Sequence, residues 1–208
     1  MEQRSPEWFA VRLGKLTASR MSDAMSFKKD KTESSERAKY RMQLICERLT
    51  GNPSPVFVNR AMQWGVEQEN DARIAYELAA QEMVDQAGFV DHPSITGFGA
   101  SPDGLIGSEG LVEIKCPESL NHLTWLTSKV VPAEHKPQML AQLACTRRKW
   151  CDFVSYDPRF PKGLDLFVVR FQPTDEEIAN VEEIAVQFLI ECDAVIEDLL
   201  ALKEGKKS

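Results

Sequence analysis

The chain has 208 residues, 43% of them hydrophobic, and reads as a single domain, 1–208, with a sizeable core. No stretch approaches the roughly 18 consecutive apolar residues of a membrane span, and Met1-Glu2-Gln3-Arg4 is not followed by the apolar run of a signal peptide. At face value the net charge of −7 argues against a nucleic-acid partner, but it is uneven: Arg12–Arg41 holds nine Lys/Arg against four Asp/Glu, whereas Gln172–Ser208 holds ten acids against three lysines, a distribution compatible with a narrow, enclosed DNA groove or with an ordinary uneven surface.

Ser5-Pro6-Glu7 has the marks of a helix start: a serine cap, a proline at the first helical position and an acid in the first turn. That short helix carries Trp8, Phe9, Val11, Arg12 and Leu13, and Gly14 ends it. A second helix is expected to open at Leu16-Thr17-Ala18-Ser19 and run through Met25, capped by Thr17 or Ser19. A helix start beside an arginine can receive an anion; it can equally be a cap beside an exposed side chain. Ser26–Ser35, with Lys28, Lys29 and Lys31, reads as a polar loop. A helix follows from about Ser35 to Leu49, stopped by Gly51, and Asn52–Asn59 with its two prolines reads as a linker. Arg60–Ala80 reads as an amphipathic helix with Trp64, Ala72, Ala75, Tyr76 and Ala79 inward. Glu69 on that helix is, taken alone, an ordinary solvated acid.

Val84–Val90 and Gly97–Leu105 read as strands. Asp103 sits in a tight turn, and Glu113-Ile114-Lys115 begins ten residues later. A period of two puts Glu113 and Lys115 on one face, Val112 and Ile114 on the other. A hairpin of 98–106 with 111–115 around Gly107–Gly110 returns Asp103 to the side of Glu113. Two carboxylates and a lysine then converge, which suits a hard divalent cation and a phosphate; the alternative is a solvated hairpin face. Ser119–Val130 and Glu134–Lys149 read as helices, with Pro137 in the first turn of the second and Gln138 and Gln142 sharing a face. Trp150–Tyr156 and Leu164–Phe171 read as strands. Thr174-x-x-Glu177 is a capping box that opens a long helix of about 175–201, whose apolar stripe reads as core or subunit packing. Lys203–Ser208 reads as a tail. Cys46, Cys116, Cys145, Cys151 and Cys192 lack CxxC spacing and read as reduced thiols. His92, His122 and His135 make no zinc-binding pattern. The fold class is α/β, a central mixed sheet flanked by helices.

Several segments occur in order across nearly the whole chain: Trp8-x-x-x-Arg12-Leu13-Gly14-x-x-Thr17-Ala18-Ser19, Trp64-Gly65-x-x-x-Glu69-Asn70-Asp71-Ala72, Ser101-Pro102-Asp103-Gly104, Glu113-Ile114-Lys115-Cys116-Pro117, Ala141-Gln142 and Tyr156-Asp157-Pro158-Arg159. Together they resemble the lambda exonuclease family, the phage-type alkaline exonucleases of the PD-(D/E)xK nuclease superfamily. The resemblance implies a restriction-endonuclease-like core and a Mg²⁺-dependent, processive 5′-to-3′ exonuclease acting on double-stranded DNA ends. Such an enzyme releases 5′-mononucleotides and leaves 3′ single strands for recombination by strand annealing. The resemblance also implies a homotrimer, a single-strand-annealing recombinase as partner, no membrane, and the cytoplasm of a bacterial host of a phage or prophage.

By the same resemblance, Asp103 and Glu113 match the metal-binding carboxylates and the Ile114 carbonyl a further ligand, with two Mg²⁺ ions expected and Mn²⁺ as a substitute. Lys115 matches the lysine that positions the attacking water, and Glu69 an acid reaching the site. Arg12, Ser19, Ser101 and Gln142 match a 5′-phosphate pocket. Met62 matches an apolar wedge at the duplex end, and Lys28, Lys29 and Lys31 are placed to touch downstream DNA. An endonuclease of the same superfamily and a non-catalytic DNA clamp are the alternatives. The 5′-phosphate set distinguishes the first, and the retained Asp103, Glu113 and Lys115 count against the second.

Overall fold

The structure, a computed structural model, describes residues 3–55 and 59–203. Residues 56–58 of the expected linker and 204–208 of the expected tail lie outside them. Helix α1 (Pro6–Arg12) starts where the sequence places it, with the Trp8 N–H donating to Ser5 Oγ at 3.2 Å. Gly14 then turns the chain at φ +67°, and a Cβ there would lie 2.8 Å from Cγ of Arg48. The expected helix from Leu16 does not form as one piece. Leu16–Thr17 is strand β1, followed by a 3₁₀ turn (Ala18–Arg20) and the short helix α2 (Met21–Ala24). Thr17 makes no side-chain cap. Instead the backbone of β1 pairs in parallel with β4 (Phe98–Ala100), and Leu16 is fully buried.

Helix α3 (Ser35–Thr50) is capped by Ser34 and ends at left-handed Gly51, and α4 (Arg60–Ala80) is capped by Asn59. Then come β2 (Val84–Asp85), β3 (Val90–Asp91), β4, β5 (Gly104–Ile106) and β6 (Gly110–Lys115). Helices α5 (Ser119–Ser128) and α6 (Lys136–Thr146) precede β7 (Trp150–Tyr156), β8 (Leu166–Phe171) and α7 (Asp175–Lys203). The capping box of α7 is formed: the Glu177 N–H donates to Thr174 Oγ1 at 3.2 Å and the Thr174 N–H to Glu177 Oε2 at 2.9 Å.

Two sheets result, in the orders β1-β4-β3 and β2-β5-β6-β7-β8. The larger is mixed: β6 and β7 run parallel and its other neighbours antiparallel. The expected strand over 97–105 is therefore two strands in different sheets, broken at Ser101-Pro102-Asp103. Proline has no N–H for a ladder, so the break falls there naturally. The expected strand over 84–90 likewise divides between the sheets. Hairpin β5–β6 is tighter than expected and begins at Gly104, where a Cβ would collide with the Val84 side chain.

Strand alternation splits the core. Leu111 faces a cluster with Met139 and Leu143 of α6, Phe153 of β7 and Val181 and Phe188 of α7. Val112 and Ile114 face a smaller cluster with Ala72 and Tyr76 of α4. The basic N-terminal stretch is partly neutralised by the acidic α7. Arg37 grips Glu191 through two nitrogens at 2.7 and 3.0 Å, and Arg48 pairs with Asp193 at 2.6 Å.

Helix α4 buries few residues, so polar contacts matter to its seat. Tyr76 Oη donates to the buried Asp152 at 2.8 Å, and Arg170 closes on both Asp152 oxygens. A hydrogen bond to an ionised acceptor is worth about 1.5–3 kcal/mol. Tyr76→Phe is therefore expected to lower unfolding free energy in urea by about 1.5 kcal/mol; an unchanged midpoint would show that α4 does not rely on this contact.

Candidate active site

The site lies at the C-terminal end of β6, where residues from both faces of the sheet meet. Glu113 is fully buried. Its Oε1 accepts from Lys115 Nζ and its Oε2 from Gln142 Nε2 of α6, the latter at 2.6 Å. Gln138, one turn earlier on the same helix face, reaches Lys115 Nζ at 3.5 Å. Burial pulls the Lys115 pKa down, but Glu113 and Asp103 more than offset it, so the net shift is upward and the ammonium is retained. Cys116, the next residue, is pushed up to about 12 by burial, with Glu69 and Asp103 adding to it, and stays a thiol.

Asp103 approaches from the turn before β5. Its Oδ2 accepts the Ile114 N–H at 2.7 Å, which extends the β5–β6 ladder through a side chain. Burial raises its pKa well above the usual carboxylate range, and the neighbouring Glu113 raises it further. Among the described residues Asp103 has no salt-bridge partner, whereas Glu113 has Lys115 and Glu69 has Arg4, at 2.6 Å. Asp103, Glu69 and Ile114 line a cavity of about 190 Å³ together with Arg4, Val66, Asn70, Arg73 and Gln86. The Ile114 side chain is buried against Tyr76 and its neighbours.

An opposite imbalance lies two residues earlier. Arg12 is half-buried, and burial lowers its pKa. It has no carboxylate partner among the described residues. Its Nη1 donates to Ser101 Oγ at 3.1 Å, and its guanidinium carbon sits 3.9 Å from the Trp8 ring centroid and 5.8 Å from that of Phe89. Trp8 Nε1 donates to the same Ser101 oxygen at 2.9 Å. With two donors already on its oxygen, the Ser101 hydroxyl is left with its proton to donate. A partly desolvated cation held only by neutral groups is suited to receive an anion.

The four residues grouped by resemblance as a 5′-phosphate pocket thus divide. Arg12 and Ser101 touch. Gln142 bonds Glu113, with its own buried Oε1 lacking a partner. Ser19 is exposed, with Thr17 Oγ1 at 3.4 Å. Met62 is exposed on the first turn of α4, and Lys28, Lys29 and Lys31 are exposed in the loop before α3. Sequence reasoning missed Arg4 and the part played by Trp8, because nothing in their spacing points to Glu69 or Ser101. The bond from Gln142 to Glu113 had a signal in the polar face of α6, but not a partner.

The donors suit a hard divalent cation. No group of three or more His, Cys, Asp or Glu side chains forms a cation cage among the described residues. Magnesium does not require one, since it is usually held by one or two carboxylates with waters and substrate phosphate completing the shell. Asp103, desolvated and repelled by Glu113, supplies a carboxylate that a cation would stabilise.

Residues 7–149 match the model of the YqaJ-like viral recombinase domain. The chain is similar to the crystal structure of an alkaline exonuclease (LHK-Exo) from Laribacter hongkongensis, with a TM-score of 0.90 and 44% identity over 98% of this chain and 100% of that one. For LHK-Exo in complex with dAMP the values are 0.88 and 46%, covering 97% and 99%. A phage-related exonuclease from Haemophilus somnus shares the fold at a TM-score of 0.72 and 15% identity, over 89% of this chain and 96% of that one. No curated protein matches the chain.

His135 lies behind the site. It stacks on Phe153 at 5.3 Å, and Phe153 is the β7 partner of Glu113. Burial lowers its pKa from 6.5, and Lys115 lowers it further. A proton then binds the unfolded chain more tightly than the folded one. The stability contributed by neutral His135 is present above about pH 6.5 and is lost as pH falls through its depressed folded value. Urea titrations between about pH 7 and 5 should show stability falling, with a shallower fall in His135→Gln. Equal slopes for the two proteins would contradict this assignment.

Proposed function

The chain belongs to the YqaJ-like viral recombinase domain family, within the lambda exonuclease group of alkaline exonucleases, and from that premise we propose that it is an exonuclease of duplex DNA. The finer reading is a Mg²⁺-dependent, processive 5′-to-3′ enzyme that releases 5′-mononucleotides and leaves 3′ single strands for strand annealing. The observation that supports it is the pairing of opposite imbalances on one turn: among the described residues Arg12 has no carboxylate partner at Ser101, and Asp103, two residues on, is buried beside Glu113 with no salt bridge of its own. Two residues of chain span at most about 7 Å, the scale of successive phosphates on one strand.

In this reading the Arg12 guanidinium and the Ser101 hydroxyl bind the terminal 5′-phosphate and set the polarity of attack. Asp103, Glu113 and the Ile114 carbonyl would hold Mg²⁺, two ions in all with Mn²⁺ as a substitute, supplying when bound a more acidic attacking water and charge for the departing 3′-oxygen. Lys115, held cationic by its acidic neighbours, donates a hydrogen bond that orients the water and stabilises charge on the phosphate oxygens. Gln142 and the sheet fix the Glu113 carboxylate, so little reorganisation is needed during reaction. Glu69 closes the cavity from α4. Ser19 as a further pocket residue, Met62 as a wedge and Lys28, Lys29 and Lys31 as downstream contacts belong to the same proposal. So do a homotrimer, a single-strand-annealing partner and a bacterial cytoplasmic setting. Among the described residues no helix is long and apolar enough to cross a membrane.

End-labelled linear duplex incubated with Mg²⁺ should lose the 5′-labelled strand end as mononucleotides, and EDTA should stop the loss. Removing a carboxylate ligand should be severe, so Asp103→Asn is expected to slow digestion by about 10³-fold or more. Arg12→Gln should erase the preference for 5′-phosphoryl over 5′-hydroxyl ends. Release from the 3′ end, or an active Asp103→Asn, would overturn the reading.

A further inference from the structure

The cavity beside Asp103 has a wall that the chemistry above does not use. Gln3 Nε2 donates to two carbonyls at once, Ala87 at 3.0 Å and Pro102 at 2.8 Å. Pro102 immediately precedes Asp103, so this clamp ties the N-terminal segment to the turn that carries the acid. Arg4 follows with φ +69°, a left-handed conformation that costs a non-glycine residue about 1–2 kcal/mol. Strain of this kind persists where surrounding contacts enforce it, and it is concentrated at ligand clamps. The Arg4 side chain lines the cavity, and its Nη2 meets Glu69 Oε2 at 2.6 Å.

The two arginines of the cavity are not equivalent. Arg73 spends both terminal nitrogens on its own helix, on Glu77 at 3.3 Å and Asn70 at 2.9 Å. Arg4 engages Nη2 alone, and a guanidinium carries five N–H donors. Arg4 lines the same cavity as Asp103, and among the described residues its remaining donors have no hydrogen-bond partner. A guanidinium oriented by a carboxylate on one edge presents its other edge in a fixed plane, an arrangement suited to phosphate oxygens.

We propose that Arg4 is a further substrate-binding residue of the nuclease, oriented by Glu69 and the Gln3 clamp to grip a DNA phosphate next to Asp103. The inference rests on the proposed exonuclease function, and it gives Glu69 a second task, that of fixing Arg4. Gln3 is a positioning residue for the same contact.

The test is binding of a short 5′-phosphorylated duplex in EDTA, followed by fluorescence anisotropy over a range of salt concentrations. Arg4→Gln is expected to weaken binding about tenfold and to make the slope of log affinity against log salt shallower by about 0.9, the loss of one phosphate contact. Its melting temperature should be unchanged, because Arg4 lies at the surface. Arg4→Lys should restore the slope while recovering only part of the affinity, since a lysine is a point charge without the planar fork. Gln3→Ala, which keeps the charge and removes the clamp, should weaken binding without altering the slope by a full contact. If the wild-type protein binds and Arg4→Gln matches it in affinity and slope, Arg4 is only a surface ion pair and this inference fails by itself. If the wild-type protein neither binds duplex in EDTA nor digests it with Mg²⁺, the exonuclease reading fails with it.

Discussion

Charge that has left water must find a partner, and the Ser101-Pro102-Asp103 turn presents that demand twice with opposite sign. On one side of it Arg12 is stacked on Trp8 and bonded only to a hydroxyl. On the other, Asp103 is buried and pressed against Glu113, with the Lys115 charge and one backbone N–H as partial relief. Neither arrangement favours the charged form within the chain alone, because burial without an ion-pair partner penalises charge. Both become favourable when an anion and a cation arrive together, as they do in a metal-bound phosphodiester. The rest of the fold keeps this turn from relaxing. It breaks one strand into two sheets, and each sheet then holds one side of the turn.

The sheet also explains why acids that repel one another stay close. Glu113 sits on a strand flanked on both sides, with Gln142 and Lys115 fixing its carboxylate. Alternation along β6 sends Glu113 and Lys115 toward α6 and Ile114 toward α4. Glu69 comes from the opposite face and meets them only because the strand ends there. Helix α4 is therefore both a cover for the smaller core and the carrier of a site residue, and the Tyr76–Asp152–Arg170 contacts seat it.

Much of this was legible in the sequence where local signals dominate. The bounds of α4 and β7 agree with those read from periodicity, and the Ser5 and Thr174 caps form as written. The pairing of Asp103 with the Glu113-Ile114-Lys115 strand followed from hairpin geometry. What failed were features decided by distant partners. Leu16–Thr17 resembles a helix start, yet a ladder to Phe98 and Gly99 holds it extended. The strand through Ser101 looked continuous, since nothing local shows that its halves join different sheets. Gln142 reads as a phosphate-pocket residue from its motif, and that reading stands untouched; only its contact with Glu113 required knowing where α6 lands. Arg4 was unreadable because its meaning lies in a left-handed backbone and an acid on another helix.

The central claim is that Asp103 and Glu113 form a cation site next to an anion pocket. Crystals grown with Mn²⁺ and measured at the manganese absorption edge test this most directly. The account predicts anomalous density between the two carboxylates, bounded by the Ile114 carbonyl. Density at some other group of acids, or none between Asp103 and Glu113 under saturating Mn²⁺, would contradict it.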